Sequence, residues 1–92
     1  MNAIDKKVLK PFIAQDGRIK QLPSKRKKFL VVLRYVLEKF EYNEIYSEKQ
    51  VNEIILKYHA DTAFLRRELI VNGWMTREDG GGSYQRVEMQ EE

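Results

Sequence analysis

The sequence predicts an α+β domain of winged helix-turn-helix type, with three core helices, a C-terminal β-hairpin wing and a short N-terminal extension of helix and strand. Three observations carry this expectation. A helix-length stretch opens at Asp61 and is closed by Gly73. Two short runs of strand-forming residues, 74–78 and 83–87, flank Asp79-Gly80-Gly81-Gly82, where glycine supplies the positive backbone angles that a hairpin connection needs. Ahead of them, apolar residues recur at helical spacing over residues 25–40 and 48–57. One domain is expected, divided into an extension over 1–22, a core over 23–87 and an acidic tail over 88–92.

In the extension, Ile4, Val8, Leu9, Phe12 and Ile13 share helical spacing, but Pro11 lacks the amide an interior helix residue donates. The helix therefore ends near Lys10, or a second short one begins with Pro11 in its first turn. Asp16-Gly17 reads as a turn, and residues 17–22 alternate polar with apolar as a short strand does, until Pro23 stops it. Ser24 is placed to cap the helix over 25–40. At about 100° per residue, Phe29, Leu30, Leu33, Val36, Leu37 and Phe40 share one face. Val31, Val32 and Tyr35 fall outside it, so this helix is expected to be covered on more than one side, with the extension as second cover.

Residues 41–46 end in Ile45-Tyr46, a short strand to lie against the wing. Ser47-Glu48-Lys49-Gln50 matches a capping box, and Val51, Ile54, Ile55 and Tyr58 follow at i, i+3, i+4 and i+7. A three-residue connection, 58–60, leads to Asp61, whose carboxylate can accept the first free amides of the third core helix. Gly73 is suited to the left-handed conformation that ends it.

With 92 residues, 42% of them apolar and 34% charged, the chain has the composition of a globular protein with one modest core. It has no cysteine, which excludes disulfides, thiolate chemistry and a Cys/His zinc site. The one histidine, His59, has no evident metal partner in the sequence. No catalytic triad, paired carboxylates or phosphate loop stands out, and Gly80-Gly81-Gly82 lacks the lysine and following helix of a nucleotide loop. A non-enzymatic protein without cofactor is expected. The longest apolar run, 29–33, is too short to cross a bilayer, so the expectation is a cytoplasmic protein with no membrane partner.

Charge is unevenly spread. Residues 1–40 carry eleven Lys and Arg against three Asp and Glu, a net of +8, and residues 41–92 carry six against eleven, a net of −5. Such a split suits either a basic surface for phosphate or two halves that attract each other. Lys25-Arg26-Lys27-Lys28, with Lys20 before it, forms the strongest candidate phosphate-binding cluster. Four cations stand at the helix end where the dipole favours anions. On the third core helix Arg66 and Arg67 are the candidate nucleic-acid contacts. Phe64, Ile70 and Val71 are the candidate protein-interaction residues, because apolar side chains go most of the way round this helix.

The run Asp16-Gly17-Arg18, then Leu22-Pro23, Lys25-Arg26-Lys27-Lys28, Val51-Asn52-Glu53-Ile54, Tyr58-His59, Leu65-Arg66-Arg67-Glu68-Leu69 and Arg77-Glu78-Asp79-Gly80-Gly81 with Tyr84 resembles a small prokaryotic domain family of unknown function. That family occurs alone and fused behind helix-turn-helix domains in predicted transcriptional regulators. The resemblance covers residues 12–87 and implies a bacterial protein in a regulatory setting, with no active site to transfer. The resulting expectation is a transcription-related nucleic-acid-binding module, DNA ahead of RNA. Its rival is a protein-interaction or homodimerisation module accessory to a regulator. The exposed surface separates the two: a basic face of residues 25–28 with Arg66 favours the first, an apolar patch around Phe64 and Val71 the second.

Overall fold

The computed structural model describes residues 1–78, 80 and 82–87. The acidic tail and, within the hairpin connection, Asp79 and Gly81 lie outside the described residues. Four helices pack with a three-stranded antiparallel sheet, an α+β arrangement, in the order α1 (Ala3–Leu9), α2 (Arg26–Leu37), β1 (Ile45–Tyr46), α3 (Glu48–Leu56), α4 (Thr62–Val71), β2 (Met75–Arg77) and β3 (Tyr84–Arg86). No helix among the described residues is long and apolar enough to cross a membrane.

Asn2 caps α1, its side chain accepting the Asp5 amide at 2.8 Å. Both readings of Pro11 meet in one feature: α1 passes directly into a 3-10 turn, Lys10–Phe12, with the proline near its start. The strand expected over 17–22 is reduced to a single β-bridge between Ile13 and Ile19. The Arg18 carbonyl and the Lys20 amide pair with Ala14 and Phe12 beside this bridge, at 2.7 and 2.8 Å, and the Ile19 amide turns away. The Ile19 amide donates to the Tyr58 carbonyl at 2.9 Å, and the Arg18 guanidinium donates to the carbonyls of Leu56 and Lys57 at 3.0 and 2.9 Å. The extension thus closes the carbonyl end of α3 instead of building a ladder. Tyr35 holds the same loop from the other side, its hydroxyl donating to the Gly17 carbonyl at 2.6 Å.

Ser24 does not cap α2. The cap position is Lys25, with no side-chain hydrogen bond, and the helix stops at Leu37. Residues 38–40 continue it as tighter turns, with the amides of Lys39 and Phe40 donating to the carbonyls three residues back. The buried face is Phe29, Val32, Leu33, Val36, Leu37 and Phe40. Val32 is fully buried and Leu30 only partly, because α1 covers α2 on one side and α4 on another, so no single stripe describes this helix.

The capping box on α3 forms as expected, Ser47 accepting the Gln50 amide at 3.1 Å and Gln50 accepting the Ser47 amide at 2.9 Å. Asp61 accepts the Phe64 amide at 3.2 Å at the head of α4. At its tail the amides of Gly73 and Trp74 donate to the carbonyls of Ile70 and Leu69, a Schellman closure with Gly73 at φ +75°. The sheet runs β1-β3-β2, with Tyr46 opposite Tyr84 and Arg77 opposite Tyr84 on its other flank. Met75 and Tyr84 turn into the core with Val51, Ile55, Leu65 and Leu69.

Candidate nucleic-acid interface

Leu65 and Leu69 are the fully buried residues of α4, and at about 100° per residue the opposite ridge carries Ala63, Arg67 and Val71. The two flanks of the helix meet different neighbours. On one, Phe64 packs on Phe29 with ring centroids 5.7 Å apart, and Glu68 and Asn72 hold Arg26 at 2.8 and 3.1 Å. On the other, Arg66 donates to Asn52 on α3 and its Nε lies 3.7 Å from Glu48. The outer ridge therefore faces solvent between the start of α2 and the hairpin.

The cluster at the start of α2 is divided by the fold. Arg26 is spent on α4 and lies over the Phe29 ring, 5.4 Å from its centroid. Lys25 and Lys28 line a pocket of about 200 Å³ with Phe12, Gln21, Pro23 and Ser24. Lys20, Lys25, Lys27 and Lys28 are all exposed, and no ion pair among the described residues engages them. The basic first half thus meets the acidic second half at the Arg26–Glu68 pair while these four lysines stay open to solvent. Arg67 is exposed as well.

Arg66 and Arg67 do not join that lysine group in one pocket. They line a groove of about 230 Å³ with Ile70, Val71, Arg77 and Tyr84. Arg77 reaches it because strand alternation puts it on the same face as buried Met75, with its guanidinium 6.0 Å from the Tyr84 ring centroid. That alternation was the available signal for including Arg77 and Tyr84 among the site residues. The Tyr84 hydroxyl donates to Glu48 at 2.9 Å. Burial, then the Glu48 hydrogen bond and charge, push its phenol above the ordinary range against the opposing pull of Arg66 and Arg77.

Of the apolar candidates, Phe64 is half-buried against Phe29, Ile70 is half-buried in the groove, and Val71 is 73% exposed. They do not share one open face. His59 is a loop residue whose Nδ1 accepts the Asp61 amide at 3.0 Å.

A family model described as an uncharacterized protein conserved in bacteria, DUF2087, matches residues 18–86. The chain belongs to the DUF2087 family. No curated protein and no solved structure matches it. The DUF2087 match begins at Arg18, the residue that closes α3, and ends at Arg86 in β3. It therefore takes in α2, α3, α4 and the whole sheet, together with every candidate site residue, and leaves α1 outside.

Proposed function

We propose that this domain is a non-enzymatic, winged-helix-like nucleic-acid-binding module, with α4 presented to the ligand and the β2–β3 hairpin as its wing. The single observation that carries the reading is the set of open cations on three elements: Lys25, Lys27 and Lys28 at the start of α2, which the Arg26–Glu68 pair ties to α4, Arg67 on the solvent-facing ridge of α4, and Arg77 on β2. Two acids on the flanking elements, Glu48 and Glu68, are turned to Arg66 and Arg26. Support also comes from the order helix, strand, two helices and hairpin, with β1 and β2 on either side of β3, an order that suits a winged helix-turn-helix. The regulatory setting implied by the sequence resemblance, including fusion behind helix-turn-helix domains, fits the same role.

The ridge bears few groups that read base edges. Arg67 suits guanine and Val71 a thymine methyl, whereas the lysines meet phosphate, so binding is mainly sequence-tolerant, with duplex DNA as the favoured ligand.

The test is a titration of labelled duplex DNA and RNA over a salt series. Each neutralised phosphate contributes about −0.9 to the log–log slope on B-DNA, and three or four such phosphates give a weak, strongly salt-dependent association. Changing Lys25, Lys27 and Lys28 to Gln is expected to flatten the slope by up to about 0.9 for each phosphate that is no longer neutralised, while the fold is retained. Absence of salt-dependent binding at low ionic strength overturns the proposal.

A further inference from the structure

The groove between α4 and the hairpin combines two kinds of surface. Three arginines, Arg66, Arg67 and Arg77, line it together with Ile70, Val71 and Tyr84. Arg66 is preset by the protein, held by Asn52 and beside Glu48. Arg67 and Arg77 have no acidic partner among the described residues, so the groove keeps a net positive charge after Glu48 is counted. Guanidinium groups bind carboxylate and phosphate oxygens in pairs, which makes the charged part of a ligand an oxyanion. A bare ion leaves the apolar walls uncovered, and Val71, 73% exposed at the rim, gains burial only beneath a ligand with an apolar body. The volume of about 230 Å³ falls below the range of about 300–1,000 Å³ typical of drug-sized ligands, which sets the body at about one ring.

From this we infer that the groove is a binding site for a small organic oxyanion, a carboxylate or phosphate ester carried on a single-ring apolar body. The inference stands on the groove alone and does not require nucleic-acid binding. Because both use Arg67 and Arg77, an occupied groove competes with nucleic acid wherever both activities are present.

The experiment is a titration of the full chain followed by amide and methyl NMR, with four probes: benzoate, phenyl phosphate, benzyl alcohol and inorganic phosphate. Benzoate or phenyl phosphate is expected to shift the Ile70 and Val71 methyls and the Arg67 and Arg77 side-chain signals, with a dissociation constant in the millimolar range or below. Comparison of these two arms identifies the preferred oxyanion. Benzyl alcohol, with the ring but no charge, and inorganic phosphate, with the charge but no ring, are each expected to bind at least about tenfold more weakly. The double substitution Arg67→Gln with Arg77→Gln, both at exposed positions, is expected to weaken the better probe by about tenfold or more and leave the amide spectrum of the core unchanged. Three results overturn the site: no shifts at Ile70 and Val71 with either organic anion, inorganic phosphate binding as well as they do, or full affinity in the double variant. Loss of DNA binding in the salt series leaves these readouts untouched, so the two proposals fail separately.

Discussion

At the scale of single residues, Gly73 shows how a backbone position can be decisive without a contact. It sits at φ +75°, and a Cβ built there meets nothing within 4 Å. The cost of a side chain is therefore conformational and not steric crowding by neighbours. Gly73→Val is expected to destabilise the domain by about 1–2 kcal/mol, and Gly73→Asn by clearly less, since asparagine tolerates the left-handed region. Urea denaturation of the two variants checks this, and equal midpoints for both would refute it.

Tyr84 makes a different prediction from its shifted phenol. Its folded-state value is raised by burial and by Glu48, so the stabilisation it brings is complete below the ordinary tyrosine value of about 10. It is lost as pH rises through the folded value, because the unfolded chain ionises first. Tyr35, raised by burial and by Tyr58 and Asp16, acts in the same direction. Stability is thus expected to fall above about pH 10, and Tyr84→Phe to remove part of that fall but not all of it. The measurement is the urea midpoint at successive alkaline pH values, and an unchanged profile in the variant would exclude the linkage.

Among the secondary-structure elements, those with local chemical punctuation were legible from sequence alone. The capping box at Ser47, the Asp61 cap and the Gly73 closure satisfy free helix-end groups within a few residues, so their signals are local. The alternation over residues 17–22 misled because the Ile19 amide goes to a partner 39 residues away, the Tyr58 carbonyl. The start of α2 was misread for a related reason. Its first turn has no acid and its cap no side-chain bond, and what holds it is tertiary, Arg26 on Glu68 and Asn72. This arrangement predicts opposite changes in two properties. Lys27→Glu places an anion at the head of α2, which is expected to stabilise the fold by about 0.3–1 kcal/mol while weakening nucleic-acid binding. Thermal unfolding and the DNA titration, run on the same variant, separate the two effects.

At the scale of the whole molecule, the exposed large apolar residues among the described residues lie on different elements: Ile4 on α1, Tyr42 before β1, Ile45 in β1, Leu56 at the end of α3 and Val71 on α4. Single exposed apolar side chains are normal on a monomer, and an interaction surface needs a contiguous patch. The apolar character of α4 was legible in the sequence, but its use was not. Whether Phe64 faced solvent depended on Phe29 meeting it from another helix. Sedimentation is expected to find a monomer whose mass is unchanged by Val71→Lys. A parent dimer that this substitution dissociates would transfer the function to the rival reading, a dimerisation module.

Trp74 is the single tryptophan of the chain and stands where α4 hands over to the hairpin. Its amide donates to Leu69 in the helix, its carbonyl accepts from Val87 beyond β3, and the Arg34 guanidinium lies 5.6 Å from its ring centroid. A cation beside an indole perturbs its emission, and the backbone that carries this indole is bonded to α4 on one side and to the residue after β3 on the other. The domain therefore contains its own optical gauge: any occupant that spreads or closes the angle between helix and hairpin is expected to change the intrinsic fluorescence at a single site, without a label.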